Sequence, residues 1–157
     1  MLAVVSMALV SCGGGDGKSK SESKKPVVEI ADPPMTFQKA DDSYENVPLK
    51  GCFKIKQAAV ADVGYDSEKY KNRISVSVTL EALQNVECDH LEGVIHIFNK
   101  DMGDLNTIWG GGFDNFNVSL ETGDVIVVNT KVYVETNNDA RNVKYVQIQK
   151  FSGSNNK

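Results

Sequence analysis

The sequence predicts an all-β fold, an antiparallel β-sandwich of about seven strands. From Leu49 onward, apolar residues alternate with polar ones, and this period of two is typical of strands with one buried side. The alternating runs are rich in Val, Ile and Thr, which favour strands. Clusters of Gly, Asn and Asp separate the runs, as turn residues do. We therefore expect one sandwich domain over residues 26–157, with its core between residues 49 and 151.

The first strands of the core follow from this alternation. In KGCFKIKQA, Phe53 and Ile55 face one way, and the polar side of the run carries Lys50, Cys52, Lys54 and Lys56. The run ISVSVTL is the clearest strand, because Ser and Thr separate its apolar residues Ile74, Val76, Val78 and Leu80. Both runs are expected to be half-buried antiparallel strands.

The later strands are separated by short polar turns. GVIHIFNK, starting at Gly93, is a central strand that ends in the turn NKDMGD, and LNTIW is expected to return as its partner. FNVSL is a further strand. After the turn ETGD, residues 125–135 form a long strand, and VKYVQIQKF is the last one. The long strand is expected to place on one face Ile126, Val128, Thr130, Val132 and Val134.

The segment before the core has a weaker pattern. VVEI is expected to form a short strand that ends at DPP, and the polar residues up to Val47 are expected to wrap the domain edge. Only SEKYKN near Ser67 and EALQNVECDHLE near Glu81 could hold a helical turn.

Composition limits the class of protein. The chain has 157 residues, of which 41% are hydrophobic and 24% charged, which suits one globular domain. A net charge of −4 argues against a nucleic-acid partner, because phosphate binding needs clustered Lys and Arg. Only GKSKSESKK, residues 17–25, is locally basic, and its lack of apolar residues indicates a flexible tether.

The N-terminal residues indicate where in the cell the protein is located. Leu2 to Val10 is an apolar run that is too short to span a bilayer but long enough for the apolar region of a secretory signal. The following LVSC, residues 9–12, resembles the lipobox of bacterial lipoproteins. The resemblance implies that residues 1–11 are a cleaved lipoprotein signal segment and that Cys12 carries a lipid at the start of a linker, residues 12–25. The alternative is a buried strand with an incidental cysteine. Because Met1 to Ser11 contain no Lys or Arg, we also expect an upstream start codon.

A second resemblance concerns the domain itself. VIHIFNKDMGDLNT, VSLETGDVIVVNTKVYVE and VKYVQIQKF, in this order, are similar to segments of the immunoglobulin-like domains of bacterial lipoproteins, including the FxLYD group. The similar positions are Phe98 to Asp101, at a hairpin, and Leu120 to Asp124, at a later turn. This resemblance implies an immunoglobulin-like fold and a cell-envelope module, with no shared catalytic residues.

Residue types that perform chemistry are sparse. His90 and His96 are six positions apart, a spacing that could place them on one strand face, but no Cys or carboxylate completes a metal-ligand pattern. Asp101 and Asp104 beside Gly103 are better explained by a hairpin turn than by a calcium loop. We therefore expect no catalytic residues, no metal site and no cofactor.

Cys52 and Cys88 are a candidate disulfide, because acylation of Cys12 leaves an even pair in an oxidising compartment. With Cys52 on the lysine face of its strand, such a bridge is expected to be peripheral and to reach a loop that holds Cys88. The alternative is two separate thiols.

The stretch IWGGGFDNF has two interpretations. Its glycines could splay Trp109, Phe113 and Phe116 into a binding surface for a carbohydrate or peptide. Alternatively, the glycines form a corner between sheets and all three aromatic residues lie in the core, which a small sandwich favours.

Together these features predict a non-catalytic binding or accessory module that a lipid anchors to a membrane of the bacterial cell envelope, facing the periplasm or the cell exterior. Its partners are then the membrane and a protein, peptide or carbohydrate ligand. The alternatives are a structural component of envelope assembly and an enzyme whose site is not visible in the sequence. The ligand, the membrane leaflet and the oligomeric state do not follow from the sequence.

Overall fold

A computed structural model describes residues 25–108 and 110–157 of the chain. These residues form eight strands and one short 3₁₀ helix, Ala140–Asn142, and none of them belongs to a helix that could cross a membrane. The all-β class is therefore confirmed. In chain order the strands are β1 (Val27–Phe37), β2 (Glu45–Val47), β3 (Phe53–Asp66), β4 (Lys71–Ala82), β5 (Val86–Phe98), β6 (Gly112–Leu120), β7 (Val125–Val134) and β8 (Tyr145–Asn155).

The strands make two layers that share β1. One layer has the order β1-β3-β4-β7 and the other has the order β1-β8-β5-β6, with β2 pairing with the last residues of β8. The first residues of β1 pair with β3, and its later residues pair with β8. The pairing of β1 with β8 is parallel, whereas every other strand pair is antiparallel among the described residues. The result is a sandwich-like, mixed sheet of eight strands, in agreement with the expectation of about seven.

Strand β1 continues through the prolines that were expected to end it. Its ladder with β8 shifts register between Ile30 and Met35, and Pro33 and Pro34 lie inside this irregular stretch. A proline has no N–H to donate to a ladder, so it is tolerated where the ladder is interrupted. The Gln147 side chain donates a hydrogen bond to the Pro33 carbonyl at 2.5 Å, which ties the irregular stretch to β8.

The core confirms the predicted alternation in β3, β4 and β7. The apolar side of β4 is completely buried, and so are Val132 and Val134 of β7. Phe53 at the start of β3 packs edge-on against Phe151 of β8, with ring centroids 5.5 Å apart. Burial of each such aliphatic side chain contributes about 1.5–3 kcal/mol, so this shared core holds the two layers together. The β4 residues concerned are Ile74, Val76, Val78 and Leu80.

Strand β5 is longer than the sequence indicated. It begins at Val86 instead of Gly93, and Gly93 lies inside the strand, opposite Phe113 of β6. LNTIW was expected to be the partner strand, but residues 105–108 lie in a loop and β6 forms the hairpin partner. The two stretches expected to hold helical turns hold none. SEKYKN forms the β3–β4 turn and the start of β4, and EALQNVECDHLE forms the end of β4, the turn 83–85 and the start of β5.

The domain has two ends that matter for function. The hairpin end carries the β3–β4 turn at residues 67–70 and the loops 99–111 and 135–144. The C-terminal end carries the turns 48–52, 83–85 and 121–124 and the last residues of β8.

Candidate functional site

The outer face of β5 carries both histidines of the chain. Leu91, Ile95 and Ile97 are buried, so the alternating residues point away from the core. Because Gly93 does not interrupt the strand, His90 and His96 lie on the same outer face, as their even spacing allows. The outward residues of this strand are His90, Glu92, Val94 and His96.

An aromatic cluster, defined as Tyr44, His90 and Phe116, occupies the C-terminal end of this face. His90 pairs with Phe116 across β5 and β6, and their ring centroids are 4.9 Å apart with the rings edge-on. Tyr44, which precedes β2, is also edge-on to the imidazole, and the two ring centroids are 5.6 Å apart. Phe116 exposes 61% of its surface and Tyr44 exposes 40%. An exposed group of aromatic rings is typical of a recognition surface.

Carboxylates line one side of the aromatic cluster. Glu92 pairs with Asp114 across β5 and β6, so both acidic side chains lie one step along the outer face from His90 and Phe116. The Asp114 Oδ1 atom is 4.0 Å from His90 Nδ1. The Ser152 hydroxyl donates a hydrogen bond to Glu92 Oε1 at 2.9 Å, which orients that carboxylate. The site therefore combines apolar ring surface with fixed hydrogen-bond acceptors.

His96 makes a closer contact at the other end of the strand. Its Nδ1 atom is 2.7 Å from Asp104 Oδ2, and its ring stacks on Phe98 with centroids 6.3 Å apart. Asn106 of the same loop receives a hydrogen bond from the Ile97 N–H at 2.9 Å and donates one to the Ile95 carbonyl at 2.7 Å. The His96–Asp104 pair and Asn106 therefore brace the loop after β5 against that strand.

The glycines before Phe113 connect the two layers through backbone hydrogen bonds. The Gly111 N–H donates to the Lys131 carbonyl of β7 at 3.1 Å, and the Gly111 carbonyl accepts from the Ile95 N–H of β5 at 2.6 Å. A Cβ on Gly110 would lie 2.5 Å from the Lys131 carbonyl oxygen, and Gly111 has a φ of 97°. Side chains would block this approach, so these glycines form the corner between layers that one interpretation expected.

The aromatic residues of this stretch separate. Phe113 is buried, and its ring centroid is 6.2 Å from that of Phe151, so it does not belong to a binding surface. Phe116 lies on the outside, so the expectation that all three rings are in the core is wrong for this residue. Trp109 lies outside the described residues. The odd spacing of Phe113 and Phe116 was the sequence signal for their opposite faces.

Tyr44 and His90 belong to the aromatic cluster, although they were not predicted as binding residues. His90 is placed by β5 and Tyr44 by the short strand β2, which pairs with β8 rather than with β5. The sequence carried no signal for this proximity, because it depends on pairing between strands that are distant in the chain.

Both cysteines of the described residues are free, buried thiols, and no bridge between Cys52 and Cys88 is formed. Cys52 precedes β3 and is buried instead of facing the solvent with the lysines; its thiol donates to the Pro48 carbonyl and accepts from the Gln84 amide at 2.7 Å. Cys88 lies in β5, not in a loop. Burial, assisted by the nearby negative charge of Asp89, raises the pKa of the Cys88 thiol to about 11. Cys12 lies outside the described residues.

Within the described part of the chain, no group of three or more His, Cys, Asp or Glu side chains is arranged to hold a metal ion. No protein-family model, no curated protein and no solved structure matches the chain. The side chains of the site are thus the basis for a functional interpretation.

Proposed function

We propose that this protein is a non-catalytic binding module of the bacterial cell envelope, anchored by a lipid on Cys12 and facing the periplasm or the cell exterior. The aromatic cluster of Tyr44, His90 and Phe116 is its ligand-binding surface. The observation that carries the proposal is the 61% exposure of Phe116 in a domain that buries Phe53, Phe113 and Phe151. Exposure of a phenyl ring forgoes the free energy of its burial, and such rings are typical of binding sites.

The ligand class that fits this surface best is a neutral oligosaccharide. The aromatic rings offer apolar surface for the C–H faces of a sugar, and Glu92 and Asp114 offer acceptors for its hydroxyl groups. The same two carboxylates disfavour an anionic sugar, because like charges repel. The outer face of three paired strands, β8, β5 and β6, suits an extended chain better than a compact ligand.

The experiment is a binding assay with immobilised neutral oligosaccharides and the full chain, comparing the protein with Phe116→Ala and Val127→Ala. Val127 is also an exposed apolar strand residue, but it lies on the outer face of the other layer, so it is the matched control. Loss of a central aromatic contact weakens binding by about thirtyfold or more. Failure of the protein to retain any neutral oligosaccharide, or equal retention by Phe116→Ala, would contradict the proposed ligand class. Retention of immobilised peptides instead would assign the surface to a protein partner.

A further inference from the structure

We infer that the hairpin end of the domain contacts the lipid bilayer directly, through exposed apolar side chains on the β3–β4 turn and on the loop between β5 and β6. The inference rests on the proposed lipid anchor at Cys12, because the anchor determines on which side of the domain the membrane lies. The loop surfaces are a separate observation, made on described residues.

The described residues before β1, Lys25 and Pro26, lie on the hairpin-end side of Val27. Strand β1 is antiparallel to β3, and Val27 pairs with Ala59. The Val60 N–H donates to the Pro26 carbonyl at 3.1 Å, which continues this pairing one step toward the end of β3. Going backward from Val27, the chain therefore runs toward Asp66 and the β3–β4 turn.

The length of chain before this point restricts the orientation of the domain. The residues between Cys12 and Lys25 span at most about 43 Å when fully extended, and about 20 Å on average as a random coil. Strand β3 alone has 14 residues and is about 46 Å long. Continued by two residues, the Val27–Ala59 register sets Lys25 opposite Ala61, which is about 17 Å from Asp66 and about 26 Å from Phe53. A tether that averages about 20 Å extends past the nearer end but not past the farther one, so the hairpin end faces the membrane.

The hairpin end exposes three large apolar side chains on two of its loops. Tyr70 in the β3–β4 turn is 74% exposed, and in the loop between β5 and β6 Met102 is 47% exposed and Ile108 is 89% exposed. Tyr65, beside the β3–β4 turn, is 50% exposed. Tyrosine is enriched at membrane interfaces, because its ring is apolar and its hydroxyl remains in water.

Two of these side chains stand where their backbone is strained. Tyr70 has a φ of 53° and Met102 has a φ of 59°, the left-handed region that glycine and asparagine occupy at lower cost. Tyr70 is 74% exposed and Met102 is 47% exposed, so full burial of the side chain does not offset the cost of either backbone conformation. Insertion into the bilayer interface gives these side chains an apolar environment.

Charge contributes less than apolar contact to this interaction. The basic groups of Lys100 and Arg141 at this end are paired with the carboxylates of Asp101 and Asp139. Lys71 is paired with Glu135 in the same way. Paired charges attract an anionic membrane only weakly, so we expect little dependence of binding on salt.

This orientation places the aromatic cluster away from the membrane. His90 pairs with Ser154, near the end of β8, so the cluster belongs to the C-terminal end. The anchored domain then presents Tyr44, His90 and Phe116 toward the medium, where a ligand can reach them.

The test uses the chain from Cys12 onward, coupled through Cys12 to a maleimide lipid with one acyl chain in phosphatidylcholine vesicles. A single chain binds membranes only marginally, so additional contacts alter the measured partition. We expect Tyr70→Ser combined with Ile108→Ser to lower partition by about tenfold or more. The matched control, Val125→Ser combined with Val127→Ser, removes exposed apolar surface of β7 outside both proposed sites and should leave partition unchanged. Circular dichroism checks that both double variants remain folded. Equal partition of the two double variants would overturn the inference.

A second measurement locates the contact. A fluorophore on Ile108→Cys should be quenched by brominated lipids, whereas one on Phe116→Cys should not. Equal quenching at both positions, or stronger quenching at position 116, would overturn the inference. Because the lipid is attached chemically, these results do not depend on natural acylation of Cys12. The mass of the N-terminal peptide of the native protein tests that acylation separately.

Discussion

The ring of Phe113 covers Gly93 so closely that a Cβ on Gly93 would lie 2.9 Å from the ring Cζ atom. This contact joins β5 and β6 on the inner side of the layer whose outer side carries the aromatic cluster. Glycine at this position is therefore required by packing, not by backbone conformation.

Gly93→Ala should destabilise the domain by about 1–3 kcal/mol, because the added methyl group overpacks the core against Phe113 and Ile148. Gly112→Ala is the matched control on the paired strand, since a Cβ there meets no atom within 4 Å. The free energy of unfolding from urea denaturation measures both variants. Equal stabilities of the two variants would show that Phe113 and Ile148 make room for the added methyl group without cost.

Phe113 and Phe116 should respond in opposite ways to truncation. Phe113→Ala should reduce the free energy of unfolding by about 3–5 kcal/mol, because it empties a site in the core. Phe116→Ala should change stability by less than about 1 kcal/mol while abolishing ligand retention. Denaturation curves, measured together with the oligosaccharide assay, separate the two roles. A large loss of stability from Phe116→Ala would indicate a structural role for that ring.

Cys88 should make stability depend on pH above neutrality. The folded protein raises the pKa of this thiol from 9.0 to about 11, so the fold favours the protonated form. The stabilisation of the folded state by the protonated Cys88 thiol is fully present below pH 9, and it is lost as the pH rises toward 11. The total loss is on the order of 2–3 kcal/mol. Unfolding of the protein and of Cys88→Ala, measured across this range, should differ in slope, and Cys52→Ala should retain the slope of the parent protein. An unchanged slope in Cys88→Ala would contradict the assignment.

The same thiols should be unreactive toward aqueous thiol reagents in the native protein at neutral pH, since both are buried and the Cys88 thiol remains protonated. Non-reducing peptide mapping of the native protein then decides between two free thiols and the bridged pair that the cysteine count allows.

Cys12 should determine where the protein resides. We expect the native protein to partition into the detergent phase and the Cys12→Ala variant to remain in the aqueous phase, because acyl chains on this residue supply the membrane affinity. Cys52→Ala keeps the anchor and is the control. Recovery of mature native protein with an unmodified Met1 at its N-terminus would rule out the anchor.

The sequence by itself determined the class of the fold and the faces of several strands. Alternation is a local property, so Val76 and Val78 of β4 and Val132 of β7 could be assigned to the core from their neighbours alone. The glycines before Phe113 likewise indicated a close backbone approach. Phe113 and Phe116 are an odd number of positions apart, and this spacing alone predicts that their side chains lie on opposite faces of a strand.

Only the tertiary structure decided which of these faces meet. The path of β1 through Pro33 and Pro34 depends on a register shift against β8, and no local pattern encodes that shift. Cys52 is buried because the turn before β3 packs against the β4–β5 turn, where the Cys52 carbonyl accepts from the Leu83 N–H at 2.7 Å.

The aromatic cluster is the clearest case of dependence on the tertiary structure. Tyr44, His90 and Phe116 lie before β2, in β5 and in β6, and they meet because β8 pairs with β2 on one side and with β5 on the other. Strand order and register are set by the packing of the whole core, because shifting one strand by a single residue would turn its buried face outward. A site assembled from β5, β6 and the residue before β2 is therefore a property of that packing, and it has no counterpart in the sequence pattern.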